Sequence, residues 1–270
     1  MKIKITILLA LIIQGLNLSA EDIIKEEIPD KIEIRLGGYF LANQDTNIKI
    51  SNNGVGANFN LQDLFNMDSS TQVFKIDGKY RFNDTHGIEF SWYSINNSSS
   101  TNKDFTWGDK DISSANLKTF YDTDIYKVNY LYSFYHNEKV ELGLSAGLHI
   151  TSINIGFSGE YKNNGDVKIG NESISTTAPL PVIGLRLGYN ITPKLNVKFS
   201  SDYFFLKFNS FSGTLVDTSL TIDYRIMKHF GLGLGLNSTN NNLNIDLPDN
   251  KNLELTNNVR GVSIYGSLNF

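Results

Sequence analysis

Four stretches of the chain repeat one design: "KYRFNDTHGIEFSWY", "YLYSFYHNEKVELGLSAGL", "LRLGYNITPKLNVKFSSDYF" and "TIDYRIMKHFGLGLGL". In each, a segment with apolar or aromatic residues at every second position runs into a few polar residues, and a second alternating segment leaves them. A period of two belongs to a strand with one apolar face, and two such runs joined by a short polar turn form a β-hairpin. Four hairpins, with one more alternating strand at either terminus, make ten strands. The expected fold is all-β.

The closing segment "GVSIYGSLNF" sets Val262, Ile264, Gly266, Leu268 and Phe270 on one continuous face. Comparable stripes are Phe74, Ile76, Tyr80 and Phe82, and then Tyr126, Val128, Tyr130, Tyr132 and Phe134. The alternate positions are polar or small. They include Glu33 and Arg35, Lys75, Asp77, Lys79 and Arg81, Glu89, Lys127, Glu141 and His149, Arg186, Lys198 and Asp202, and Asp217, Asp223 and Arg225. A soluble sandwich shows the same period with its apolar face turned inward. Three features point away from it. A dry core would not tolerate full charges at mid-strand. Aromatics crowd the turn ends, at Tyr80, Phe82, Phe134, Tyr135, Tyr189, Tyr224, Phe230 and Phe270, as at a membrane interface. Short turns near 83–87, 136–139, 191–194 and 227–230 alternate with long connections near 44–70, 97–118, 158–178 and 238–254. The pattern predicts a transmembrane, antiparallel up-and-down β-barrel of ten strands, with its apolar face to lipid and its charged face to the lumen.

The start of the chain fits export. Lys2 and Lys4 precede an apolar run from Ile5 to Ile13, and small residues follow at Ser19 and Ala20, the order of a cleaved signal peptide. The expected organisation is a leader over 1–20, a short periplasmic segment over 21–30 and a barrel over 31–270. The run is too short and too interrupted for a membrane helix. The chain has no cysteine, which excludes disulfides, thiolate metal sites and a lipid-anchored amino terminus. The 24 basic groups, two of them in the leader, are outnumbered by 28 acidic ones, so nothing points to nucleic acid. No residue pattern asks for a cofactor.

On the alternating stripes and the last strand, the chain resembles the small outer-membrane β-barrels of Gram-negative bacteria, the broad group that includes the OmpA transmembrane domain and OmpW-like proteins. The resemblance covers the whole mature chain. It implies residence in the bacterial outer membrane among lipid and lipopolysaccharide, as a monomer inserted by the barrel-assembly machinery. Val262, Ile264, Leu268 and Phe270 resemble the carboxy-terminal signal that this machinery reads, although Tyr265 stands where the usual pattern has glycine.

Barrel hydrolases are the sharper alternative. An omptin-like protease needs an acidic pair and a His/Asp pair on one rim. Asp122 and Asp124 share a face near the outer end of a strand, but Asp84 and His86 sit in a turn at the opposite end. A lipid A deacylase needs a lipid-facing His and hydroxyl, whereas His149 and Thr151 alternate with the lipid-facing Leu148 and Ile150. No catalytic set is complete. Both signs of charge interleave along the lumen face, over Glu33, Arg35, Lys75, Asp77, Lys79, Arg81, Glu89, Glu141, Arg186, Lys198, Asp202, Asp223 and Arg225, so the expected lumen is paired and constricted. The connections, rich in Asn, Ser and Gly, read as solvated mobile loops. In the first, Asn60 is placed to cap a helical turn through Leu61, Leu64 and Phe65. The expected function is a non-enzymatic structural or surface-interaction barrel, with a narrow solute channel as the alternative and a membrane hydrolase behind it.

Overall fold

The computed structural model describes residues 30–52, 55–60, 62–63, 70–101, 105–107, 110–163, 166–208, 211–247 and 251–270. The expected leader and the segment after it, up to residue 29, lie outside the described residues. The strands are β1 (Ile32–Asn52), β2 (Val55–Asn60), β3 (Thr71–Arg81), β4 (His86–Thr101), β5 (Phe105–Trp107) and β6 (Lys110–His136). They continue as β7 (Val140–Asn163), β8 (Asp166–Thr192), β9 (Leu195–Phe208), β10 (Phe211–Met227), β11 (Phe230–Leu247) and β12 (Lys251–Asn269). All pairings are antiparallel. The ring runs β1-β3-β4-β6-β7-β8-β9-β10-β11-β12 and closes through β12 and β1, while β2 and β5 pair only with β1 and β6 outside it. That is the ten-stranded barrel the hairpin pattern predicts.

Closure is complete at the turn end. Ile32 N–H donates to the Phe270 carbonyl at 2.8 Å and Phe270 N–H donates to that of Ile32 at 2.9 Å. In three of the four short turns a side chain at the start takes up backbone donors. Asn83 Oδ1 accepts from Thr85 and His86 N–H at 2.9 and 2.8 Å, and Asn137 Oδ1 accepts from Lys139 and Val140 N–H at 2.9 and 2.8 Å. Thr192 Oγ1 does the same for Leu195 N–H at 3.0 Å. These are the local bonds for which Asn and Thr are favoured in turns.

The outward band is apolar and bare. Phe74, Phe82, Phe90, Tyr130, Phe134, Leu144, Leu187, Ile222, Leu232, Ile264 and Phe270 are all exposed. Bulges sharpen this band at the turn end. Shifts between Ser133 and Tyr135 and between Arg225 and Met227 turn two successive residues outward, Phe134 with Tyr135 and Ile226 with Met227. A further bulge between Leu41 and Asn43 reverses the parity of β1, so that Tyr39 and Leu41 are buried below it and Gln44, Thr46 and Ile48 above it.

Where mobile loops are expected, strands continue. The β7–β8 ladder runs unbroken from Val140↔Tyr189 to Asn163↔Asp166, and β1 stays paired with β12 as far as Asn52↔Lys251. A strand needs about 10 residues to cross a bilayer, so ladders of this length project well beyond it. Sequences such as "KNNGDVKIGNES" carry no sustained apolar stripe, yet backbone pairing needs no apolar side. Asn60 accepts from Asp63 N–H at 3.0 Å, the bond of a helix cap, and Gln62 and Asp63 have helical backbone. Leu61, Leu64 and Phe65 lie outside the described residues.

Candidate functional site

The lumen is built in tiers. At the turn end lies a charged tier in which seven cations, Arg35, Lys75, Lys79, Arg81, Lys127, Arg186 and Lys198, face seven carboxylates, Glu33, Asp77, Glu89, Glu141, Asp202, Asp217 and Asp223. Lys198 Nζ donates to Glu33 at 2.8 and 3.0 Å, and Arg35 Nε donates to the same carboxylate at 2.7 Å. Arg81 Nη2 reaches both oxygens of Glu141 at 2.6 and 2.7 Å, Ser133 Oγ donates to Glu141, and Lys79 stands 3.8 Å away. Arg186 bridges Glu89 and Asp202 at 2.8 and 2.7 Å. Arg225, at the edge of the tier, pairs with Asp30, and Lys75 stands 3.3 Å from Asp77.

These contacts join distant walls. β1 and β9, β3 and β7, and β4 and β8 are not neighbours in the ring, so each pair spans the interior. With the signs interleaved, every carboxylate finds a cation, which avoids the several kcal/mol that an unpaired buried charge costs. A cavity of about 160 Å³ remains among these side chains.

Glycines make room for the longest groups. Tyr265 faces Gly37 of β1 on one side and Gly233 of β11 on the other, and a Cβ on Gly233 would fall 2.3 Å from the tyrosine ring. Lying in this slot, Tyr265 Oη donates to Asp223 at 2.8 Å while the Arg35 guanidinium sits 5.2 Å from the ring centroid. The tyrosine that departs from the usual closing-strand pattern is therefore a lumen residue of the charged tier.

Two partners of that tier escaped the expected network. Lys127 and Asp217 carry the right parity, and the structure bonds them across the lumen from β6 to β10, with Thr239 Oγ1 also donating to Asp217 at 2.7 Å. Their sequence parity was the available signal, but only the ring order shows that the two side chains meet. His149 is buried beside them, its Nδ1 4.0 Å from Asp217.

Above the charges the lumen turns apolar, which corrects the expectation of a polar or small inner face throughout. Lys75 Nζ lies 5.8 and 6.0 Å from the ring centroids of Tyr39 and Tyr93, which pack edge to face at 5.3 Å. Leu41, Val73, Ile95, Ile125 and Val259 complete that cluster, and Leu180, Val182, Phe204, Leu215 and Leu243 form a second. A filled interior needs no polar lining, because no water column has to be solvated. A polar tier closes the top. Asn97 Nδ2 donates to Gln44 Oε1 at 3.1 Å, Thr46 N–H donates to Gln62 Oε1 at 2.9 Å, and Thr46 Oγ1 donates to Asn257 Oδ1 at 3.1 Å.

The groups weighed for catalysis stay apart. Asp122 and Asp124 flank the buried Thr123, opposite Asn154 and Ser152 on β7 and above the apolar band. Partial burial raises the Asp122 carboxyl, a hydrogen bond from Asn154 lowers it, and the like charge of Asp124 raises it again, the net shift being upward. His86 stacks on Tyr130 and Tyr132 at the turn end, with Nδ1 2.5 Å from Tyr130 Oη. Among the described residues no cluster of His, Asp and Glu has the geometry to hold a metal ion.

In shape the chain is similar to the outer membrane protease OmpT of Escherichia coli, at 12% identity and a TM-score of 0.55, over 93% of this chain and 100% of that one. It also matches Ail, the attachment invasion locus protein of Yersinia pestis, at 13% identity and TM-score 0.32 over 90% of this chain and 99% of that one. The outer membrane protein OprG of Pseudomonas aeruginosa matches at 11% identity and TM-score 0.35, over 92% and 99% of the two chains. The first is close enough in shape to bear on the fold, and at its identity it bears on nothing else. Comparison with curated proteins returns no significant match. The family model for the outer membrane protein beta-barrel domain matches residues 36–236, most of the chain. The chain thus belongs to the outer membrane protein beta-barrel domain family, and its place is the bacterial outer membrane.

Proposed function

We infer that this barrel is a non-enzymatic protein with a closed lumen, and that it works through the surface it raises above the outer leaflet. One observation carries the reading: Lys127–Asp217 and Lys198–Glu33 tie opposite walls together beneath an apolar tier centred on Tyr39 and Tyr93. A solute would have to part ion pairs and then cross a dry layer. The placement of the chain's 4 histidines supports the non-enzymatic part. His86, His136 and His229 belong to the turn end and His149 to the lumen, so none stands near Asp122 and Asp124 at the outer rim. The same proposal includes a monomer surrounded by lipid and lipopolysaccharide, and insertion by the barrel-assembly machinery through Val262, Ile264, Leu268 and Phe270.

Single-channel recording in a planar bilayer tests it. The expected trace is silent at moderate voltage. A large, steady conductance would overturn the closed-lumen reading in favour of a narrow channel and make the same charges selectivity determinants.

A further inference from the structure

Among the described residues the barrel wall is interrupted above the membrane at two seams, β3–β4, paired only as far as Lys75↔Tyr93, and β8–β9, where the longer edge is left open. β8 is paired with β7 along its whole length, up to Asn163↔Asp166, but with β9 only from Ile183↔Tyr203 down to Thr192↔Leu195. Among the described residues no strand pairs with the far edge of β8 from Asp166 to Val182. Pro179 and Pro181 stand where the two strands part. Proline has no N–H to give a ladder and is tolerated where that side of the strand is unpaired. β7 lies opposite both prolines, so their ring nitrogens belong to the edge that faces away from it. By the same parity, Asn171, Ser173, Ser175 and Thr177 direct their N–H groups to the open edge, and all four are exposed.

We propose that this edge of β8 is a docking strand for an extended segment of another polypeptide, which pairs along residues 171–177 as an added β-strand. An open row of backbone donors and acceptors is a template for such pairing, and proteins normally cover or blunt it. Among the described residues the edge stands clear because the β9–β10 ladder ends at Phe208↔Phe211, while the β7–β8 ladder continues to Asn163↔Asp166. Phe205 on the β9–β10 hairpin is 78% exposed and offers an apolar seat at the foot of the edge. The segment that fits is an extended strand with small or polar side chains on one face and an apolar residue at its membrane-proximal end.

A second copy of this chain does not fit. Two copies in one membrane share an orientation, so their β8 strands run parallel, and a two-fold axis along the membrane normal sets like groups opposite like groups. The proposal rests on the surface-interaction reading above, and its test is independent of conductance: a silent barrel that binds no strand sinks the docking site alone.

The probe is the fluorescein-labelled peptide ITSINIGFSGEYKN, the sequence of β7 that already pairs with this stretch of β8. Its binding is read by fluorescence anisotropy to the whole barrel in lipid nanodiscs, beside a scrambled peptide and a copy N-methylated at alternate residues. The expected result is saturable binding of the probe, none of the N-methylated copy, and affinity weakened about tenfold by Ser173→Pro or Ser175→Pro. Both substitutions remove a donor from the open edge and leave the β7 ladder intact. Should a proline variant fail to fold, the N-methylated peptide on the unaltered barrel still decides. Equal binding of probe and N-methylated copy, or of probe and scrambled peptide, overturns the proposal. So does a barrel dimer that Ser175→Pro abolishes.

Discussion

Lys198 on β9 and Glu33 on β1 are bonded across the lumen, Nζ to Oε1 at 2.8 Å and to Oε2 at 3.0 Å, although four steps of the strand ring separate them. The bond staples two walls that share no ladder. Lys198→Met keeps the stem and removes the charge, leaving Glu33 to Arg35 alone at 2.7 Å. The expected loss is about 1–2 kcal/mol, reduced because Lys198 is one-third exposed. A lower urea midpoint for refolded barrel in lipid vesicles would show it, and an unchanged midpoint would make the staple ornamental.

Arg186 is the more costly cation to remove because it holds two carboxylates, Glu89 and Asp202. Arg186→Met strands both, and the expected penalty is about 3 kcal/mol, recovered in large part by adding Glu89→Gln and Asp202→Asn. The variant should nevertheless stay silent in a planar bilayer, since the Tyr39–Tyr93 tier above the charges is untouched. Current is expected only when Tyr39→Ala and Tyr93→Ala are added. Current from Arg186→Met alone would place the barrier entirely in the ion pairs.

The tyrosine slot gives a graded pair of variants. Tyr265→Phe loses one hydrogen bond to Asp223 and keeps the ring between its glycines, at an expected cost of about 1–2 kcal/mol. Gly37→Ala is worse. Its Cβ would fall 2.1 Å from the Ile264 carbonyl oxygen and 2.5 Å from the Tyr265 Cα, both backbone atoms, so β12 must shift at the closing seam. A cost of about 3 kcal/mol is expected. Equal midpoints for the two variants would contradict the slot.

What the sequence made legible follows from where alternation has contrast. In the apolar band most strands set lipid on one side against charge on the other, so Phe74 beside Lys75 or Val128 beside Lys127 fixes the face, and the Asn and Thr turns fix the hairpins. Contrast fails in two places. In the inner apolar tier, Val182 and Phe204 have apolar outward neighbours, Pro181 with Ile183 and Tyr203 with Phe205, while Ile95 lies between Ser94 and Asn96, so alternation alone would assign its side to lipid. The bulge at Leu41 and Asn43 adds a change of parity with no sequence mark. Above the membrane the outward residues are polar, so β7 beyond Thr151 keeps buried Ile153, Ile155 and Phe157 on one face but offers no lipid-facing stripe, and the ribbon reads as a loop. The charges of the lumen were legible as a set and their partners were not, because Lys127 finds Asp217 through ring order rather than spacing.

Phe270 separates assembly from stability. Its backbone exchanges two hydrogen bonds with Ile32, while its ring is 55% exposed and stacks on His229 at 5.2 Å with an interplanar angle of 15°. Phe270→Ala keeps both backbone bonds and loses only a half-exposed ring at the interface, so the refolded barrel should hold its urea midpoint to within about 0.5 kcal/mol. Deleting the residue also removes the pair with Ile32, and the midpoint should fall by about 1–2 kcal/mol. If the assembly machinery reads the ring, both variants insert slowly into proteoliposomes that contain it, despite their different stabilities. The informative measurement is the rate at which heat-modifiable barrel forms, beside the equilibrium midpoint of the same protein. An alanine variant that assembled at the rate of the unaltered chain would remove Phe270 from the assembly signal, and one that lost more than about 1 kcal/mol would make its ring a structural group instead.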